Sequence, residues 1–344
     1  MKRESKYSDP TNKLLLLLLI IIVIANCVQS YYFKANKRYD WTTNAISSKG
    51  NIVQVSNCTF KGNPYDINKN IILDNGWDKT NDTENNVKDT FFPDSLSIKW
   101  FSYSEQKFYN GSFALPNETI ETKAIQMGMF PSVQNDHNDY RVLHFIAEVQ
   151  QKGKIAVWIQ KFDENRNSTK LKIATYHAKE TKAGWHIFDD SSETNKISEI
   201  DISKKVALVM ERHFYKLNIS LPEGYILNNS YFELFNQHIW RFSERELKTV
   251  LSFDFLPKEF DLEWSNGKKR FTTQFSFDED EALEAFRKES SNRDSVDSLV
   301  LELVVNDHND AIKVSLKNTK TNSNFIFKDQ YQSKNERSII QLRN

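Results

Sequence analysis

The side chains that could carry out chemistry lie far apart in this chain, at spacings that fit none of the common catalytic motifs. The nine glycines are too widely separated to form a phosphate-binding loop, a dinucleotide-binding fingerprint or a G-x-S-x-G nucleophile elbow. The seven histidines are scattered, and none belongs to an H-E-x-x-H motif. The sequence therefore predicts no catalytic, cofactor-binding or metal-ligating residue, and it favours a protein that is not an enzyme.

The pentapeptide NDHND occurs twice, at 135–139 and 306–310. Oxygen ligands around a histidine could bind a metal ion. However, Asn and Asp also form hydrogen bonds to their own backbone in turns, and the glycine that a calcium loop of the EF type needs is missing. We therefore predict turns at both copies and keep a metal site as the alternative.

An acidic run, Asp278 to Glu281, could supply catalytic carboxylates. The same run fits the start of a helix, with Asp278 as its cap and Glu281 three residues later, where acidic side chains also complement the helix dipole. We predict a helix over 278–289. Aromatic rings at Tyr103, Phe108 and Tyr109 could likewise stack on sugars, although packing inside a hairpin is the alternative that we favour.

The N-terminus predicts export. An apolar run of 12 residues, 14–25, follows a basic segment and leads to Ile24-Ala25-Asn26-Cys27. Twelve residues suit a secretory signal better than a spanning helix, which needs about 20. Three alternatives remain open: lipidation at Cys27, although Asn26 departs from the small residue expected before it, ordinary cleavage near Ala25–Cys27, and an uncleaved anchor. In each case the body leaves the cytoplasm. With lipidation or an uncleaved anchor, it lies on the periplasmic face of a bacterial membrane, attached through its N-terminus.

Cys58 is the other cysteine of the chain. The exported body thus has no second cysteine for an internal disulfide. We expect Cys58 to be a small buried side chain in a strand, with intermolecular pairing as the alternative. The net charge is zero, and without its four basic and two acidic leader residues the body holds 42 basic and 44 acidic residues. This balance predicts no nucleic-acid partner.

Alternating residues between 92 and 116 predict a hairpin. Leu96, Ile98 and Trp100 share one face of the first strand, and Tyr109, Gly111 and Phe113 share one face of the second. Pro116 ends the second strand. A helix follows at 117–128, with Asn117 as its N-cap and Gly128 as its stop. Strands at 141–149, 154–162 and 171–178 complete a strand-strand-helix-strand-strand-strand unit.

A second copy of this unit follows. LPKEFDLEW at 256–264 aligns without a gap with FPDSLSIKW at 92–100, and this alignment pairs Trp264 with Trp100 as core anchors. We therefore predict an α+β, β-rich fold of two related units with antiparallel sheets. The predicted segments are a leader at 1–27, a first repeat at 31–190 containing a long loop at 63–90, a connecting helix and aromatic segment at 191–245, and a second repeat at 246–344.

The hairpin block also resembles a known family. Its matching residues are Trp100, Ser102, Tyr103, Glu105, Lys107, Phe108, Tyr109, Gly111, Phe113, Leu115 and Pro116. Over about 39–180 the chain resembles the bacterial domain-of-unknown-function 2931 family. The resemblance implies an envelope protein, often lipidated and without assigned activity. Some members are encoded near phospholipase-type secreted effectors, which implies a binding protein that neutralises a protein toxin. A glycan-binding module is the alternative, and no residue roles transfer.

Overall fold

The fold is that of a computed structural model. It describes residues 10–35, 38–63, 70–74, 76–78, 86–130, 142–184, 188, 199–247, 251–290, 298–329 and 340–343.

The first element is α1 (Pro10–Ala35), a helix whose apolar residues are not covered by the rest of the protein. Its segment Pro10–Gln29 has a mean hydropathy of 2.3 and is long enough to cross a membrane. N-terminal signal sequences share these properties. The helix is thus consistent with a signal peptide or a membrane anchor, and Cys27 is exposed on it.

Ten strands and one longer helix, α2 (Asn117–Gln126), form the described part of the first half. The strands are β1 (Tyr39–Ser47), β2 (Val53–Phe60), β3 (Ile71–Leu73), β4 (Val87–Thr90), β5 (Ser95–Ser102), β6 (Lys107–Ala114), β7 (Leu143–Val149), β8 (Lys154–Phe162), β9 (Ser168–His177) and β10 (Lys179–Thr181).

These strands form two five-stranded sheets. Sheet A has the order β4-β1-β7-β8-β9, and sheet B has the order β10-β6-β5-β2-β3. Alternate residues from both sheets fill one core, to which α2 adds Ile120 and Ala124. The strand pairs of sheet A are antiparallel, as predicted, except for β1 and β7, which run parallel and make the sheet mixed.

Three helices and ten strands form the described part of the second half. The helices are α3 (Glu199–Met210), α4 (Glu244–Leu247) and α5 (Glu279–Glu289). The strands are β11 (Arg212–Ser220), β12 (Ile226–Leu234), β13 (Ile239–Phe242), β14 (Ser252–Phe255), β15 (Pro257–Ser265), β16 (Arg270–Ser276), β17 (Leu299–Val305), β18 (Ile312–Asn318), β19 (Ser323–Ile326) and β20 (Ile340–Arg343).

The second half repeats the topology of the first. Sheet C has the order β14-β11-β17-β18-β19, and sheet D has the order β13-β12-β15-β16-β20. Each strand thus occupies the position of the strand ten numbers earlier, and the parallel pair β11–β17 corresponds to β1–β7. Trp100 and Trp264 occupy matching positions, opposite Tyr109 and Phe271 respectively. The predicted strand-strand-helix-strand-strand-strand order is present in both halves.

The second half begins earlier than predicted. Residues 191–245 were expected to connect the repeats, but β11, β12 and β13 are integral strands of sheets C and D. The predicted connecting helix is present as α3, but it ends at Met210, because Tyr215 and Leu217 then alternate into the core as strand residues. The predicted loop at 63–90 is also wrong in part, since it contains β3, a 3-10 turn at Gly76–Asp78 and β4.

The sequence predicted three helix ends, and the structure agrees with two of them. Asn117 is not a capping residue: α2 begins at Asn117, with Pro116 before it and no side-chain cap. Gly128 does end α2, with φ of +70°. Asp278 caps α5 as predicted, because its carboxylate accepts the N–H groups of Asp280 and Glu281.

Candidate functional site

The family-like hairpin β5–β6 is buried on its inner face and, near its turn, on its outer face as well. On the inner face Trp100 stacks on Tyr109, with ring centroids 5.1 Å apart, inside the core of the first half. On the outer face Phe101, Tyr103 and Phe108 form a separate apolar cluster. A strand that is covered on both sides carries apolar residues at successive positions, which explains the density of aromatic rings in this stretch.

Helix α3 covers the outer face of the hairpin. Val209 of α3 and Phe188, which precedes this helix, complete the apolar cluster of the outer face. The Tyr103 hydroxyl donates to Gln54 Oε1 at 2.7 Å, and burial raises the pKa of Tyr103. The three rings that could have stacked on sugars, Tyr103, Phe108 and Tyr109, are therefore at most 6% exposed.

The remaining matching residues fix the hairpin in place. Both carboxylate oxygens of Glu105 accept the backbone N–H of Lys152, at 3.0 and 3.1 Å, which ties the β5–β6 turn to the β7–β8 turn. Gly111 lies directly under the ring of Phe113, where an added Cβ would be 2.2 Å from the nearest ring carbon. Pro116 ends β6 and precedes α2. These residues have structural roles in the described part of the chain.

A short polar joint connects the two halves. Gln237, in the β12–β13 turn, accepts the N–H of Ile72 at 2.8 Å and donates to the carbonyl of Asn70 at 3.0 Å. The next residue, His238, lies 2.6 Å from the carboxylate of Asp74. The side chain of Gln237 thus pairs with the backbone of β3 and holds the two halves together.

A crevice with a volume of about 530 Å³ lies beside this joint. Its lining comes from both halves and from α3: Gln54, Asn70, Ile72, Tyr103, Phe188, Lys204, Lys205, Leu208, Val209, Phe235, Gln237, Lys258 and Glu279. Three of the lining residues are lysines. Sequence reasoning did not find this site, because its residues are separated by up to about two hundred positions and no local motif marks them.

The crevice lysines form ion pairs at its rim. Lys205 lies 2.5 Å from Glu279, and Lys204 lies 3.3 Å from Glu279 and 2.8 Å from Asp280. Burial alone would lower the pKa of Lys204, but hydrogen bonds to these two carboxylates raise it above its ordinary value. Lys258 pairs with the buried carboxylate of Glu233 at 2.5 Å. Lys204 is therefore charged at neutral pH.

The edge strand β13 presents apolar side chains to solvent. Ile239 and Trp240 are both 47% exposed. Outside α1 they are the only two exposed large hydrophobic residues that are adjacent in sequence in the described part of the chain. The Trp240 ring also packs edge-on against Phe253, with centroids 5.6 Å apart. Ile239 additionally borders a smaller cavity that contains Asp74 and His238.

A hydrogen-bonded Ser–His–Glu group joins α3, β11 and α5. His213 Nδ1 lies 2.9 Å from Ser290 Oγ, and His213 Nε2 lies 3.3 Å from Glu211, which Arg287 also binds. Burial lowers the pKa of His213, and the hydrogen bonds from Arg287 lower that of Glu211. The neighbouring cavity is lined by Glu211 and Arg287 but not by His213 or Ser290, so this group does not present a nucleophile to that cavity.

One of the two NDHND copies lies in the part of the chain that the structure describes. The copy at 135–139 lies outside the described residues. In the copy at 306–310, Asn306 Oδ1 accepts the N–H groups of Asp310 and Ala311, so this copy forms the predicted turn. Within the described ranges, no group of three or more His, Cys, Asp or Glu residues could hold a metal ion. Cys58 is buried in β2, as expected.

The fold and the site define an α+β protein of two β-rich halves behind an N-terminal apolar helix. A family model described as "Protein of unknown function (DUF2931)" matches residues 23–218, more than half of the chain, and the protein belongs to this family. The match ends within β11, so it includes the first half and α3. A search of the curated proteins and a search of the solved structures found no match.

Proposed function

We propose that this protein is exported to the bacterial cell envelope, remains attached to a membrane by its N-terminus, and is a binding protein rather than an enzyme. The apolar, uncovered helix α1 and the exposed Cys27 support the attachment. Lipidation at Cys27 anchors the body firmly, because a lipoprotein carries several acyl chains. The body then lies on the periplasmic face.

Mass spectrometry of the membrane-purified protein tests this attachment. The expected N-terminus is Cys27 carrying lipid, and Cys27→Ser abolishes both the lipid and the processing. A chain that retains residues 1–26 would instead identify α1 as an uncleaved anchor. An unlipidated chain that begins near Cys27 and is released from the membrane would contradict the proposed attachment.

The observation that carries the binding function is the exposed pair Ile239 and Trp240 on β13. An edge strand has unpaired backbone groups, and exposed tryptophans are enriched among the residues that dominate protein interfaces. These features suit a protein partner. We propose a secreted toxin of phospholipase type as this partner, because the family resemblance includes genes adjacent to such effectors.

A toxicity rescue tests this function. The product of the neighbouring gene is exported to the periplasm of a test bacterium with or without this protein, and survivors are counted. The protein should rescue growth, and Ile239→Ser/Trp240→Ala should remove most of the rescue. Phe214→Ala is the matched control, because Phe214 is also 47% exposed but lies on β11. A neighbour that is harmless, or that kills equally with and without this protein, would reject the toxin as partner.

A second candidate function, glycan binding, has one specific observation in its favour. Trp77 and Trp158 meet at 90° with centroids 5.6 Å apart, and neither ring belongs to the core of the first half. The ammonium groups of Lys170 and Lys172 lie over these rings, at 3.9 and 4.8 Å from their centroids. A tryptophan emission change on adding envelope glycans, lost in Trp77→Ala, would support this function. Unchanged emission across the panel would reject it.

A further inference from the structure

We propose that the crevice between the two halves binds a small anionic ligand that also carries hydroxyl groups, such as a phosphorylated or carboxylated sugar. Its volume of about 530 Å³ lies within the range of small-molecule sites. The crevice is distinct from the β13 pair to which we assign the protein partner. The two proposals can therefore fail independently.

The charge of the lining favours an anion. Lys204, Lys205 and Lys258 line the crevice, and Glu279 is the one carboxylate among its lining residues in the described part of the chain. Lys204 also forms an ion pair with Asp280, whose side chain is 78% exposed. Because so exposed an ion pair contributes little stability, an anionic group of a ligand can replace Asp280 at low cost.

The neutral polar groups favour hydroxyls beside the anion. Asn70 donates through Nδ2 to the carbonyl of Phe188 at 2.6 Å, but its buried Oδ1 has no hydrogen-bond partner among the described residues. A buried acceptor without a partner is costly, and a ligand hydroxyl satisfies it once the Asn70 side chain turns its Oδ1 towards the crevice. Gln54 uses Oε1 to accept the Tyr103 hydroxyl, which leaves its amide NH₂ as the group that it can offer to a ligand oxygen.

The apolar part of the lining suits the carbon face of a sugar ring. Tyr103, Phe188 and Phe235 supply aromatic surface, and Leu208 and Val209 of α3 supply aliphatic surface. An aromatic wall combined with amide and ammonium groups is the combination that orients a small polar ligand with an apolar face.

Calorimetric titration of the full chain in phosphatidylcholine nanodiscs tests the site. The probes are glucose 1-phosphate, glucuronate and neutral glucose. We expect both acids to bind and glucose to bind at least about tenfold more weakly, since tenfold corresponds to about 1.4 kcal/mol and one ammonium–anion contact supplies this much. No binding of either acid, or equal binding of glucose, would overturn the proposal.

Matched variants locate the binding in the crevice. Lys204→Gln/Lys205→Gln should weaken the affinity for glucose 1-phosphate about tenfold or more. Lys61→Gln/Lys107→Gln removes the same charge from two ion-paired lysines of the first half, which do not line the crevice, and should leave the affinity unchanged. Glu279→Gln should act in the opposite direction and strengthen binding. Equal losses in the two double variants would show a nonspecific charge effect and overturn the site.

Phosphatidylglycerol nanodiscs distinguish two sources of the anion. If an anionic lipid headgroup fills the crevice, glucose 1-phosphate should bind more weakly in phosphatidylglycerol than in phosphatidylcholine, and this difference should disappear in Lys204→Gln/Lys205→Gln. If the natural ligand is soluble, the affinity should be the same in both lipids. Either result supports an anion site. A lipid difference that persists in the variant would place anion binding outside the crevice and overturn the proposal.

Discussion

The two halves share a strand order, but their central tryptophans differ in the hydrogen bonding of the indole N–H group. Trp100 and Trp264 are both fully buried and both stack on the aromatic residue opposite them in the sheet. Trp264 Nε1 donates to Asn309 Oδ1 at 2.6 Å, whereas Trp100 Nε1 is buried without a hydrogen-bond partner among the described residues. Asn309 lies in the turn between β17 and β18, whereas the corresponding turn between β7 and β8, residues 150–153, contains no asparagine.

The outer faces of the hairpins differ in a related way. Phe101 and Phe108 form a cross-strand pair under α3, and the matching pair in the second half is Ser265 and Arg270. Arg270 is exposed and forms an ion pair with Glu263. Corresponding positions in the two halves thus carry aromatic residues where a helix covers them and polar residues where they are exposed to solvent. Val209 of α3 packs on the outer face of the first hairpin, whereas Ala207 and Leu208 of the same helix belong to the core of the second half.

The largest effect is expected at the tryptophans. Trp264→Phe removes indole volume and also leaves the buried Asn309 side chain without its donor, whereas Trp100→Phe removes volume alone. We expect Trp264→Phe to cost about 1–3 kcal/mol more in the free energy of unfolding than Trp100→Phe. Urea denaturation of both variants measures this difference. Equal losses would mean that the Trp264–Asn309 bond does not distinguish the halves.

The next largest effect is expected at the turn glycines. Gly153→Ala places a methyl group 2.7 Å from the carbonyl of Ala178 and 3.0 Å from the Tyr109 ring, at φ of +70°. Gly267→Ala has a similar φ, +79°, but open space around the new methyl group. We expect Gly267→Ala to cost about 1 kcal/mol from the backbone alone, and Gly153→Ala to cost about 2 kcal/mol more because of the close contacts. A similar melting temperature for the two variants would contradict this.

A smaller effect is expected at Glu105. Glu105→Gln keeps the shape of the side chain but replaces a charged acceptor of the Lys152 N–H with a neutral one, which we expect to cost about 1 kcal/mol. The matching turn of the second half, at Asn266, forms its hydrogen bonds locally, to Lys268 and Lys269. Hydrogen exchange at the Lys152 amide should therefore accelerate in Glu105→Gln. An unchanged exchange rate would show that Glu105 does not connect the two turns.

The smallest effect is a pH dependence confined to the second half. His213 and Tyr39 occupy matching positions, two residues before Tyr215 and Trp41. Burial lowers the pKa of His213 and raises that of Tyr39. As the pH falls below about 6.5 the unfolded chain binds a proton at His213 before the folded chain does, so stability decreases by about 1 kcal/mol per unit of pKa shift.

Thermal melts of the wild type and His213→Gln between pH 7.5 and 5 measure this contribution. The variant should lose less stability over this interval than the wild type. The lowered pKa of Glu211 contributes little in this interval, because its stabilisation begins to be lost only as the pH falls to the ordinary carboxylate value of 4.5. Parallel pH curves for the two proteins would exclude His213 as the source.

Sequence patterns predicted the elements that have a clear period. The β5–β6 hairpin, the meander of β7, β8 and β9, and the capped start of α5 all follow from alternation or capping signals. The strands β3 and β4 were missed because they are three and four residues long within a polar segment. The strand β11 was missed because it follows α3 after a single residue, so that a helical pattern and a strand pattern merge in the sequence.

None of the residues that line the crevice could be predicted as a group. Gln54, Lys204 and Lys258 lie on three different elements, and each looks like an ordinary solvated residue in its own segment. The burial of Tyr103 could not be predicted from the sequence either. Its sequence position allowed exposure or burial, and only the packing of α3 decided for burial.

The sequence by itself determined the apolar segment at the N-terminus, the β-rich class and the β5–β6 and β15–β16 hairpins, because these follow from local hydrophobicity and from the two-residue period of a strand. Tertiary structure alone decided the parallel pairing of β1 with β7, the start of the second half at β11, and the crevice between the halves. These features depend on contacts between residues that are distant in the chain, and such contacts leave no periodic signal in either segment.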